Sequence, residues 1–111
     1  MTFSITRNHD KGRVTAVFAG HLNDQEGVDS AAQFSKAMGQ EEVEAVFDIV
    51  DMQSYAPEAR QAWQKALWPA RRQIRQIILV GGGPLVRIGG VLLAGALSIK
   101  LVKVKSRDQI P

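Results

Sequence analysis

Two runs of β-branched and aliphatic residues, 43–50 and 74–80, each lead through a proline- or glycine-containing break into a segment of helical periodicity. Short apolar runs bounded by turn residues read as buried strands. Strand, helix and strand in succession favour parallel neighbours joined by right-handed crossovers. After the first run, Pro57 suits the opening turn of a helix, where its missing N–H does no harm. Glu58 then complements the helix dipole. Ala59, Ala62, Trp63, Ala66, Leu67 and Ala70 mark one apolar face, opposite Arg60, Gln61, Gln64 and Lys65. Pro69 ends or kinks this helix near Leu67.

The rest of the chain extends the pattern. Phe3 and Ile5 alternate with Ser4 and Thr6, residues 8–12 are turn chemistry, and residues 14–18 form a second strand, giving an antiparallel hairpin closed at Gly20. Asn23 is an N-cap with Glu26 at capping-box spacing. The helix it opens runs to Met38, with Val28, Ala31, Phe34, Ser35 and Met38 on one face and Gly39 as its stop. Residues 51–55 read as a loop. Gly81, Gly82, Gly83 and Pro84 form a tight turn into a third helix over 85–97, and 100–105 is the final strand. The order is ββαβαβαβ. It predicts an α/β fold with a mixed, mostly parallel sheet covered by helices on both faces, or on one face with a partial second layer. Residues 1–111 form a single domain, with its core over 3–105 and a short polar tail over 106–111.

Composition narrows the function. Hydrophobic residues make up 45% of the 111 and charged residues 23%, as in ordinary globular domains. Cysteine is absent, which excludes disulfides, zinc thiolates and a cysteine nucleophile, and suits a cytoplasmic location. A net charge of +3 with only 6% aromatics argues against a dedicated nucleic-acid module. The most apolar segment, 85–101, holds Arg87, Lys100 and several glycines, and falls short of the roughly 20 residues of a membrane span. Peripheral lipid contact is the weaker of the partner expectations.

Several residues are candidates for function. Gly82 and Gly83, with Arg87 one turn on, could present backbone N–H groups to a phosphate at a helix start. The preferred alternative is a plain tight turn, since neither the Walker nor the dinucleotide pattern is met. On the third helix, Leu85, Ile88, Leu92 and Ala96 read as the buried face. Arg87, Gly90, Val91, Ala94 and Ser98 read as an outer stripe of small, nearly uncharged residues. That stripe is either a partner or self-association surface, or further core. Trp63 is core, whereas Trp68 is rotated away as a half-exposed residue or an interface anchor, beside a basic cluster of Arg71, Arg72 and Arg75. Asp48 and Asp51 read as loop-bracing carboxylates, and His9 and His21 as surface histidines. No catalytic set, metal site or cofactor site converges, so an enzyme is not expected.

The element order resembles the STAS family, the anti-sigma-factor antagonists and the cytoplasmic domains of sulfate transporters. More closely, it is similar to the small stand-alone STAS/SEC14-like branch. The resemblance rests on the hairpin ending Val17-Phe18-Ala19-Gly20-His21-Leu22, on Val46-Phe47-Asp48-Ile49 before a loop and helix, and on Ile77-Ile78-Leu79-Val80-Gly81 followed by Val86-Arg87. It implies a phosphorylatable serine where this chain has Ala56-Pro57-Glu58, so the phosphorylation switch does not carry over. The family's closing helix has no counterpart after Asp108, which leaves one sheet face expected to be partly open.

These readings lead to a non-enzymatic protein–protein regulatory or scaffold module, self-associating and without cofactors. The alternative is a binding domain that holds a small apolar or phosphate-bearing ligand, a lipid or nucleotide, between the sheet and the third helix, near Gly82, Gly83 and Arg87.

Overall fold

The computed structural model describes residues 2–111. Strands β1 (Phe3–Asn8) and β2 (Arg13–Leu22) form the expected hairpin, followed by α1 (Asp24–Met38), β3 (Val43–Tyr55), α2 (Pro57–Leu67), β4 (Ile74–Val80), α3 (Pro84–Leu97) and β5 (Leu101–Val104). A 3₁₀ segment, Trp68–Gln73, joins α2 to β4, and a second, Arg107–Gln109, lies in the tail.

The strands lie in sequential order, β1-β2-β3-β4-β5, with β1 antiparallel to β2 and every later pair parallel. Strand order that never reverses sends each right-handed crossover to the same face. The three helices therefore share one face, and their buried residues merge with Val14, Phe18, Phe47 and Leu79 into the main core. Phe34, Phe47 and Phe18 surround Trp63 in edge-to-face packing, with centroids 5.2, 5.3 and 5.8 Å from the indole.

Among the described residues the opposite face carries no α-helix. Val46, Ile78 and Val80 bury there, packed by Val102, Val104 and Ile110. Residues 106–111 are thus not a polar appendage. Ile110 covers the sheet, the Pro111 carbonyl accepts from Arg13 at 2.8 Å, and Arg107 pairs with Asp48 at 2.5 Å and Asp51 at 3.3 Å. The tail does in part what a closing helix would do. The acid pair braces it, and those hydrogen bonds, to Asp48 first, hold the Arg107 pKa above its ordinary value.

Local signals set most boundaries. Asn23 and Glu26 form the capping box, and Gly39 closes α1 with φ 59°. Pro69 lies just past the end of α2. Two boundaries differ from the sequence reading. Residues 51–55 are strand, because β2 continues past Gly20 and pairs Ala19, Gly20, His21 and Leu22 with Asp51, Met52, Ser54 and Tyr55. Two register shifts absorb the irregularity, and Gly20 takes the positive φ (69°) that lets the strand continue. On α1, Val28 is exposed and Gly27 and Ser30 face inward instead, because α2 crosses so closely that only small residues fit.

Candidate functional site

The third helix is seated by two glycines. A Cβ on Gly89 would lie 2.5 Å from the Tyr55 hydroxyl, and one on Gly90 would lie 2.8 Å from a Leu79 methyl. The sheet beneath α3 is already filled by these large side chains. The helix therefore turns its small residues inward, with Val86, Leu93, Ala94 and Leu97 completing the buried side.

This rotation corrects the face expected from sequence. Ala94 is 2% exposed and belongs to the core, and Gly90 rests on Leu79. Ser98 is the C-cap, at φ 55°, with its N–H bonded to the carbonyls of Ala94 and Gly95. Of the stripe read as outward, only Val91 and Ser98 are exposed, and Arg87 is half-buried on the flank. Three side chains expected to be buried point out instead, Leu85 at 79%, Ile88 at 52% and Leu92 at 49% exposed, beside Val91 at 41%. Ala96 is half-buried, and Gly95 has open space around it on the outer side. The resulting ridge is wholly aliphatic and spans roughly 15 Å at 1.5 Å per residue.

Under α3 lies a cavity of about 70 Å³. The ends of β2 and β3 form its floor, α2 one wall, and Gly89, Gly90 and Leu93 the roof. Its lining is aliphatic and aromatic except for Tyr55 and Arg60. Trp63 is held from behind: its indole N–H donates to the Ser30 hydroxyl at 2.9 Å, which donates to the Gly27 carbonyl at 3.1 Å. Gly82, Gly83 and Arg87 do not line this cavity. The glycine turn has a conformational cause, since Gly81 and Gly82 sit at φ 68° and 88° and a Cβ on Gly82 would lie 2.5 Å from Ile49. Pro84 also removes one N–H from the first turn of α3.

His21 Nδ1 and the Ser54 hydroxyl share a hydrogen bond of 2.7 Å across β2 and β3. Trp68, 49% exposed, stacks under Arg71 at 3.9 Å, and Arg71 also donates to the Trp68 carbonyl. Arg75 donates to the carbonyls of Gly12 and Glu42, so Arg71 and Arg75 of the basic cluster are held in local bonds. Among the described residues no group of His, Asp and Glu is arranged to hold a metal, and no helix is long and apolar enough to cross a membrane.

One helical layer over a five-stranded mixed sheet in this order defines a STAS-like α/β domain. A solved structure from Shewanella loihica PV-4, a protein of the DUF3478 family with a SpoIIAA-like fold, matches it with a TM-score of 0.72. The match covers 96% of this chain and 86% of that one at 14% identity, which establishes the shared fold. No protein-family model matches the sequence, and no curated protein matches it.

A ligand site between the sheet and the third helix was expected from sequence, but its lining and the inward glycines were not. The available signal was Gly89-Gly90 at mid-helix, where glycine costs helix stability and so implies a close approach.

Proposed function

We propose that the chain is a non-enzymatic, STAS-like interaction module that associates with a second copy of itself through the outer ridge of α3. The carrying observation is the exposure of Leu85, Ile88, Val91 and Leu92 along one side of a single helix. A helix apolar on both sides is suited to burial on both.

A second copy is the occupant these residues favour. The ridge bears no charge, so a two-fold axis through it brings no like charges together. Gly95, open on the same side, lets a facing helix backbone come close. Regulation or scaffolding in the cytoplasm goes with this reading, as does the lack of cysteine.

Light scattering over a concentration series tests the proposal. The wild-type chain is expected to dimerise, and Leu85→Glu and Ile88→Glu, which alter no core position, to remain folded monomers. A wild-type monomer throughout the series overturns it. So does flotation of monomeric protein with anionic vesicles, which would assign the ridge to a lipid surface.

A further inference from the structure

The inner side of α3 carries a second feature, independent of the outer ridge. We propose that the cavity between α3, α2 and the sheet is a binding site for a small uncharged alkyl group, a guest of about three or four carbons with no polar atom.

The cavity is held open by its own walls. The helix above cannot settle lower, because Gly89 already lies against the Tyr55 hydroxyl and Gly90 against Leu79, so closely that a Cβ at either would collide. Trp63 cannot swing in to fill the space. Its indole N–H is tied to Ser30, and Phe18, Phe34 and Phe47 pack edge-to-face around its rings. A void propped in this way keeps its shape when empty, and its lining lacks contacts that a guest would supply.

The chemistry of the walls selects the guest. Ile49, Met52 and Leu93 offer no hydrogen bonds of use to water, and almost no polar surface reaches the cavity. The Tyr55 hydroxyl is turned against Gly89, and Arg60 contributes its aliphatic stem. A buried water needs about two to four polar partners, which these walls do not provide. A carboxylate, phosphate or nucleotide would give up its hydration with nothing in exchange. An alkyl group gains by leaving water. Of the ligands expected from sequence, the walls thus favour the apolar one. Size sets the limit: the space is about 70 Å³. An apolar cavity of about 150 Å³ holds benzene, so a propane-sized group fits here and an aromatic ring does not.

The test uses xenon, ethane, propane and propionate as probes, with amide and methyl NMR as readout. Titrating the Leu85→Glu chain as well as the wild type keeps the result separate from dimerisation, since Leu85 lies on the outer ridge and does not line the cavity. Xenon and propane are expected to give saturable shifts at Gly89, Leu93 and Met52. Propane should bind about fourfold more tightly than ethane, the effect of one buried methylene. Propionate should give no saturable shift at these residues. Val86→Ile and Leu93→Phe place carbon in the space and should no longer bind propane, with circular dichroism checking that each is folded. The proposal is overturned if neither xenon nor propane gives saturable shifts at the lining residues, or if propionate binds as well as propane. Neither of these outcomes needs a filled variant. It is also overturned if a folded filled variant keeps the parent affinity for propane.

Discussion

The indole nitrogen of Trp63 and the hydroxyl of Ser30 are joined by a buried hydrogen bond of 2.9 Å that ties α2 to α1. Ser30 is fully buried and passes its own proton to the Gly27 carbonyl. Removing the hydroxyl strands a buried N–H donor. Ser30→Ala is therefore expected to cost about 1–3 kcal/mol. Ser30→Thr, which keeps the oxygen, adds a methyl at a site where α1 and α2 touch and should also lose stability. Urea unfolding followed by near-UV circular dichroism measures both, and an unchanged midpoint for Ser30→Ala would show the bond to be dispensable.

Two glycines on helices should respond to alanine in opposite directions. A Cβ on Gly27 would lie 2.5 Å from both the Cα and the Cβ of Ala59, so α1 and α2 would have to separate. Overpacking of this kind costs typically about 1–3 kcal/mol, more than the roughly 1 kcal/mol gained in helix propensity. Gly95 meets nothing, and Gly95→Ala should stabilise by about 0.5–1 kcal/mol. Paired thermal melts decide the matter by the sign of each shift.

Acid sensitivity should centre on Glu44. Burial raises its pKa, but the hydrogen bonds from Gln76 and Arg13 outweigh burial and leave the carboxyl below its ordinary value of 4.5. A carboxyl held lower in the folded chain than in the unfolded one stabilises the fold above its unfolded pKa. That contribution disappears as pH falls through the depressed value. Wild-type stability should thus fall from about pH 5 downward, and Glu44→Gln should show a shallower decline. Parallel slopes for the two chains would assign the acid response elsewhere.

The tail is expected to behave as a structural part of the domain. Arg107→Ala leaves Asp48, 5% exposed, without its cation, and should lower the unfolding midpoint. Asp48→Asn in the same chain should recover part of the loss, because the buried charge is then gone. Additive losses in that double-mutant cycle would show the pair to be uncoupled.

The order of elements was legible because it rests on local chemistry: the capping box at Asn23 and Glu26, Pro57 at a helix start, and the apolar run of β4. The STAS-like fold read from that order is the fold observed. Helix rotation was not legible to the same degree. Periodicity says that α3 has an apolar side but cannot choose between two, and the choice fell to Tyr55 and Leu79, large residues on distant strands. The role of the tail was hidden for a related reason, since Arg107 and Asp48 meet only once β4 and β5 are laid beside β3. The cavity is a product of the same tertiary fit.

At its outer margin the sheet ends in β5, four residues long, with Lys103 within it and Lys105 just beyond. Short strands bearing lysines resist recruiting another strand. Growth by adding strands side by side is therefore disfavoured along that border.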